Sequence, residues 1–268
     1  MVQWNVNDLT QLPFAVNLTK PAYSAIFIDK YQLLIAGNSL GEFHVIDFEN
    51  KKEIRHIVHH TKGIYDFTFH EENNVLIAAG GDGILSVWSL PEFELIRNIP
   101  LCEEKIRQQA ISPDKKSIAV ACGDGKLRVL DHEFYNELAT IDAHKDGCTA
   151  VAWHPTKPVL VSGGKDAHIK CWNTKDAYKE VLSIPAHQFA VYSIVFDDEG
   201  KLMATCSRDK TIKLWNASTF EPIQRIDATT NGHSHSVNRI LLSKQTLLSC
   251  GDDKKIISFE IIDDESTV

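Results

Sequence analysis

The sequence predicts an all-β propeller assembled from copies of one small four-stranded sheet, and three observations carry that prediction. A tryptophan or an apolar stand-in recurs every 42 to 44 residues, at Trp4, Ile46, Trp88, Leu130, Trp172, Trp215 and Phe259. Between successive marks the chain reads as four short apolar segments separated by polar turns. With 43% hydrophobic residues, it can also bury a sizeable core. A period in the forties signals a copied structural unit. Stacking four-stranded sheets radially buries both faces of each and leaves only short edges.

Residues 187–228 show the unit most plainly. Val191–Phe196 alternates with period two, as a half-buried strand does. The turn Asp197–Gly200 leads to a second strand, Leu202–Cys206. Ser207–Lys210 turns tightly into a third, Thr211–Trp215. Asn216–Thr219 turns again into a fourth, Pro222–Ile226. The same order reads in 60–101 and 144–186, and in a more degenerate form in 102–142, where Ser112–Lys115 is the first turn.

Seven third-strand marks imply seven blades, although complete sets of four strands are countable for only five. The chain opens on a third strand, Val2–Trp4, followed by a fourth at Pro13–Leu18. It closes on a third strand, Ile256–Ile262. The predicted architecture is therefore seven-bladed with an incomplete first blade, and about 30–40 residues are expected before Met1. The alternative is a six-bladed ring closed by the N-terminal strand. Either way one domain is expected over residues 1–262, followed by an acidic, disordered tail at 263–268.

Charge and cysteine usage narrow the function classes. The net charge is −8, with both signs interspersed, which argues against a nucleic-acid surface with its basic face. No stretch approaches the roughly 18 apolar residues of a membrane span, and no basic-then-apolar leader opens the chain. Six cysteines follow the repeat and form no CxxC pair. They read as small buried thiols of a reducing compartment, hence a cytoplasmic protein.

These units resemble WD40 repeats. Ala143-His144, Asp166 and Trp172-Asn173 match the pattern, as do Ala186-His187, Asp209 and Trp215-Asn216. His60, Asp82 and Trp88 keep its spacing; Gly232-His233, Asp253 and Phe259 keep it in a slightly different length. The resemblance implies a hydrogen-bonded staple in which the turn Asp accepts from the His, the His from a hydroxyl, and the hydroxyl from the indole N–H. Two complete sets are expected, His144–Ser162–Asp166–Trp172 and His187–Thr205–Asp209–Trp215. The set His60–Asp82–Trp88 is expected to lack its hydroxyl, because Ala78 holds that position. His233, Ser249 and Asp253 end on Phe259, which has no proton to donate. The unit marked by Leu130 keeps only Asp124, with Cys102 and Val120 in place of His and hydroxyl, and the unit marked by Ile46 has lost the pattern. These degenerate units are expected to hold by packing alone and to be softer. A His, an Asp and a hydroxyl in contact also suggest a hydrolase triad. Here the hydroxyl is consumed in a network repeated in several units, so no catalytic site is predicted.

The resemblance further implies a non-catalytic scaffold that binds a protein or peptide on the face around the central channel, with no cofactor and no small-molecule substrate. The alternative is a propeller enzyme, or a propeller that binds a metal or small molecule. The positions that project to that face are Gly63, Tyr65 and Gly81, then Lys105, Arg107 and Gly123, then Gly147, Thr149 and Lys165. Ala190, Tyr192 and Arg208 follow, and Ser236, Asn238 and Asp252 close the series. Tyr65 and Tyr192 are expected to be exposed aromatic anchors. Lys105, Arg107, Lys165 and Arg208 are expected to form one cationic arc for an acidic or phosphorylated segment; the rival reading has them merely solvating the surface. His59-His60 and His233-Ser-His235 invite a metal reading. One His of each pair is spent in the repeat pattern and no third ligand is suitably spaced, so no metal is predicted.

Overall fold

The computed structural model describes residues 1–262 except Asn7 and Lys244, and the predicted acidic tail at 263–268 lies outside the described residues. The chain divides into two compact units, Met1–Cys148 and Thr149–Val268. Among the described residues no helix is long and apolar enough to cross a membrane.

The first unit begins with a two-stranded ladder, β1 (Val2–Trp4) and β2 (Gln11–Ala15). A four-stranded sheet follows, β3 (Ala22–Ile28), β4 (Leu33–Asn38), β5 (Glu42–Asp47) and β6 (Lys52–Val58). The next is β7 (Ile64–His70), β8 (Val75–Gly80), β9 (Ile84–Ser89) and β10 (Leu95–Pro100). The third is β11 (Ile106–Ile111), β12 (Ser117–Cys122), β13 (Lys126–Asp131) and β14 (Glu137–Asp142).

In the second unit, one sheet is β15 (Cys148–Trp153, opening at the boundary), β16 (Val159–Gly164), β17 (His168–Asn173) and β18 (Lys179–Pro185). Another is β19 (Val191–Phe196), β20 (Leu202–Ser207), β21 (Ile212–Asn216) and β22 (Pro222–Ile226). The last has three strands, β23 (Val237–Ser243), β24 (Thr246–Gly251) and β25 (Ile256–Glu260).

Every sheet is an antiparallel meander, each strand pairing with its neighbour in sequence. The described residues thus form five four-stranded blades, one three-stranded blade and the β1–β2 ladder. Seven marks correspond to seven sheets, of which six carry three or four strands. β2 ends at Ala15 rather than at Leu18, because β1 is only three residues long and its ladder runs out at the pair Val2↔Ala15.

Burial explains why the second strands read as unbroken apolar runs. All six residues of β8 are buried, as are five of the six in each of β12, β16 and β20. These strands are covered on both faces, so alternation disappears. The fourth strands face solvent instead: β6, β10 and β22 are mostly exposed, and β14 and β18 alternate only in their second halves. Adjacent sheets within a unit meet closely. A Cβ on Gly37 would lie 2.8 Å from Ile64 Cβ, and one on Gly163 would lie 2.8 Å from Val191 Cβ. Phe43 packs edge-on against Phe67 at 5.9 Å and Trp88 at 5.2 Å in one such interface. Trp215, Met203 and Ile194 fill another in the second unit.

The tight turn into each third strand repeats the same backbone. Gly41, Gly83 and Gly125 have φ of 89°, 81° and 87°, and the equivalent Ala167, Lys210 and Lys254 are held at 66°, 74° and 62°. This left-handed region suits glycine. A Cβ at Gly83 would strike the carbonyl oxygen of Cys102 at 1.8 Å, so there nothing larger fits.

Candidate functional site

Four blades place a histidine or its replacement beside the turn Asp, and the local backbone shows why. In each turn the Asp carboxylate accepts from the amide two residues on, as in Asp166 with His168 N at 3.2 Å and Asp124 with Lys126 N at 3.1 Å. This Asx geometry fixes the carboxylate.

In the blade β19–β22, His187 Nδ1 lies 3.0 Å from Asp209 Oδ2 and its Nε2 lies 2.8 Å from Thr205 Oγ1. Trp215 Nε1 donates to the same hydroxyl at 2.9 Å. Trp172 likewise donates to Ser162 Oγ at 2.9 Å, while His144 is buried at the end of the first unit. In the last blade His233 bonds Asp253 at 2.8 Å and Ser249 Oγ at 2.8 Å. Phe259 donates nothing there, and Ser249 Oγ also approaches Ile257 O at 3.4 Å.

Three expectations about the degenerate blades require correction. The network of His60, Asp82 and Trp88 does not lack a hydroxyl. Ser86 supplies it, with Oγ 2.8 Å from His60 Nε2 and 2.8 Å from Trp88 Nε1. The blade marked by Leu130 does not rest on packing alone. Arg128 is buried and grips Asp124 bidentately, at 3.1 and 2.7 Å, which replaces the lost histidine with a charge-assisted fork. The blade marked by Ile46 carries His44 buried on its third strand, with Nδ1 2.8 Å from Glu53 Oε1. His44, Ser86 and Arg128 each stand two residues before the mark. Lys170 and Lys213 occupy the same position and lie over Trp172 and Trp215, both at 5.7 Å.

Burial sets the electrostatics of these networks. Desolvation holds His60 and His187 below the ordinary imidazole value of 6.5, and the carboxylates of Asp82 and Asp209 only partly oppose it. Both imidazoles are therefore neutral, with Nδ1–H donating to the Asp and Nε2 accepting from the hydroxyl.

On the proposed contact face the first unit brings three expected residues together and adds one. Arg107 Cζ lies 5.0 Å over the Tyr65 ring, with Lys105 Nζ at 5.7 Å. Tyr23 stacks on Tyr65 with centroids 5.3 Å apart and an interplanar angle of 26°. Tyr65 is half-buried rather than exposed, and Tyr23 is the more accessible ring, at 50%. The glycines make the bed for this stack. A Cβ on Gly63 would meet Tyr23 at 2.9 Å, and one on Gly81 would meet Tyr65 at 2.9 Å. Tyr23 stands 42 residues before Tyr65, so the repeat points to it. It escaped the sequence reading because its unit has no guiding histidine.

In the second unit Tyr192 is also half-buried, while Lys165 and Arg208 are exposed. Arg208 Cζ lies 5.9 Å over Phe189, an exposed aromatic that the sequence reading passed over. Asn238 donates to Asp252 at 2.7 Å. Thr149 is buried, its hydroxyl spent on Val191 O and Gly163 O.

Two groups among the described residues have the donor types and proximity to hold a metal, namely Glu42–His44–His56 and Cys102–Cys122–Asp124. In the second, both Asp124 oxygens already accept from Arg128, whose positive charge opposes a cation. The histidine pairs considered from sequence are engaged elsewhere. His59 Nε2 lies 2.8 Å from Asn98 Oδ1 and His235 Nδ1 lies 3.0 Å from Ser234 Oγ.

Comparison with known proteins agrees with this architecture. The WD40 family (WD domain, G-beta repeat) matches residues 51–89, 135–173 and 178–216. The chain is 28% identical over 111 residues to the mouse periodic tryptophan protein 2 homolog, covering 41% of this chain and 12% of that protein. It is 27% identical over 154 residues to WD repeat-containing protein 90 of Xenopus tropicalis, covering 54% of this chain and 8% of that protein. It is 26% identical over 144 residues to mouse guanine nucleotide-binding protein subunit beta-like protein 1, covering 53% and 44% respectively. The matches thus span less than half the length of each of these relatives. The chain thus carries WD40 repeats in three matched places, and its six sheets built on one plan accord with a β-propeller.

Proposed function

We propose that this protein is a non-catalytic scaffold that docks a protein or peptide partner through the face carrying Tyr23, Tyr65, Lys105 and Arg107. The segment received there is acidic or phosphorylated. The observation that supports this reading most is the Arg107–Tyr65–Tyr23 stack. A guanidinium lying on a ring has its plane held in place by that ring, and a planar guanidinium is the group that pairs with a carboxylate or phosphate fork. Two stacked tyrosines present a large contact area with little rotamer entropy to lose. In the second unit Lys165, Tyr192, Arg208 and Asn238 are proposed as further partner contacts of the same chemistry. The net charge of −8 supports a protein rather than a nucleic-acid partner. The six cysteines, all thiols rather than disulfides, support a cytoplasmic setting. The repeated unit supports a single domain over residues 1–262.

The test is fluorescence anisotropy with labelled acidic, phosphorylated and neutral peptides. Tyr65→Ala and Arg107→Glu should each weaken the acidic or phosphorylated binders by roughly 30-fold, the scale of an aromatic or arginine hot spot, without moving the urea midpoint. Equal binding of neutral and acidic peptides, or unchanged affinity in both variants, would refute the proposal.

A further inference from the structure

We infer that Glu42, His44 and His56 form a binding site for a divalent transition-metal ion, with zinc the best fit to the donor set. Glu42 and His44 are two residues apart on β5 and so share a face. His56 on β6 is the direct cross-strand partner of His44. One ligand atom from each of the three residues lies within 4.8 Å of the others. Glu42 Oε2 and His56 Nε2 are 3.5 Å apart. Ligands around a tetrahedral zinc, at about 2.0–2.1 Å from it, stand about 3.3 Å from one another, so this edge of the polyhedron is already formed.

Two further observations point to a ligand. His44 Nε2 is buried and has no hydrogen-bond partner among the described residues. An orphaned imidazole nitrogen is costly in the absence of something to accept its lone pair. Its other nitrogen, Nδ1, is held by Glu53 Oε1 at 2.8 Å. A carboxylate on the far nitrogen is the arrangement that orients metal-bound histidines and raises their basicity. The Glu42 carboxylate is oriented in the same way, by Asn38 Nδ2 at 2.6 Å.

The two imidazoles now stack in parallel, with centroids 4.5 Å apart and planes 8° from parallel. Chelation therefore requires them to tilt toward each other. His56 has room to do so, its side chain being 45% exposed on the outermost strand. Two nitrogens and one carboxylate oxygen suit zinc and neighbouring divalent ions, and disfavour magnesium and calcium, which take oxygen ligands. The ion would join the third and fourth strands of the one four-stranded blade that has neither a tryptophan mark nor a turn Asp.

The experiment uses the whole chain, stripped with a chelator, and zinc alone as the probe. Calorimetric titration should show one zinc per chain with an accompanying rise in Tm, and magnesium should show neither. Cobalt(II) should give the visible absorption of a low-coordinate nitrogen site. His56→Ala and Glu42→Gln, both at solvent-accessible positions, should weaken zinc binding by about 100-fold or more. Glu53→Gln, which leaves all three ligands, should weaken it by about 10-fold. The inference is overturned if the wild-type chain takes up no zinc, or if His56→Ala and Glu42→Gln bind zinc as tightly as wild type, which would assign the ion to other histidines.

Discussion

Ser86 lies directly opposite Ala78 in the β8–β9 ladder, and its hydroxyl joins His60 to Trp88 from the strand on which no hydroxyl was expected. Cross-strand partners share a face with Cβ atoms about 4.5–5.5 Å apart. A hydroxyl can therefore reach the same two nitrogens from either side of the ladder. In the blades of Ser162 and Thr205 the hydroxyl comes from the second strand, and their partners Lys170 and Lys213 turn outward over the tryptophans.

Ser86→Ala strands a buried imidazole nitrogen and a buried indole N–H. At about 1–3 kcal/mol for each unsatisfied group, the loss should be roughly 2–4 kcal/mol in urea denaturation. Ala78→Ser introduced into that variant should recover much of it, because the opposite position reaches the same atoms. A loss below about 0.5 kcal/mol, the range of an ordinary surface change, would show that the network adds nothing to stability.

Acid should weaken the fold in two stages. Burial depresses His60 and His187 below 6.5, so the unfolded chain binds protons that the folded chain refuses. Stability that is complete above 6.5 is then lost as pH falls from there toward the folded values. Burial alone would raise Asp82 and Asp209. Thr61 N–H and His60 outweigh it at Asp82, and His187 and Thr211 outweigh it at Asp209, so both lie below 3.8. Their contribution is complete above 3.8 and declines below it. Urea midpoints measured across this range should fall in both windows, and a midpoint unchanged between about pH 7 and pH 5 would contradict neutral buried histidines.

Arg128→Met keeps most of the apolar stem and removes the fork on Asp124. Both partners are largely shielded, with side chains 10% and 25% exposed. The cost should be about 1–3 kcal/mol. Asp124→Asn in the Arg128→Met background should cost little more, because the two residues act as one unit. Additive losses in that double-mutant cycle would mean that Arg128 acts through packing alone.

Gly81→Ala should displace Tyr65 without unfolding the blade. The added Cβ meets the edge of the Tyr65 ring at 2.9 Å and the backbone oxygen of Gly63 at 3.0 Å. The ring is the part free to move. Peptide affinity should fall by about 10-fold, part of a full aromatic hot spot, while the urea midpoint shifts only slightly. Unchanged affinity would place the docking contact elsewhere than the Tyr65 ring.

The strand order and the turns were legible because backbone pattern is local. Alternation marks Val191–Phe196, and the turn Asp announces itself by recurring six residues before the mark at Asp82, Asp124, Asp166, Asp209 and Asp253. Tyr23 was legible in principle as the repeat-mate of Tyr65. It was hidden by the missing histidine, although the two rings stack in the structure. Phe189, Ser86 and Arg128 left no comparable trace, since each depends on which neighbour lies across a ladder or a turn.

By itself the sequence determined the spacing of the units, the antiparallel strand plan, and the positions of the histidines, turn aspartates and tryptophans. A period of about 42 residues is enough for that, because it aligns equivalent positions along the chain. Only the tertiary structure decided which group completes each network: Ser86 for His60, Arg128 for Asp124, and His56 beside His44. A hydrogen bond or a metal ligand set is specified to within about 3 Å between atoms on different strands. Cross-strand register sets that distance, and the repeat period alone does not encode it.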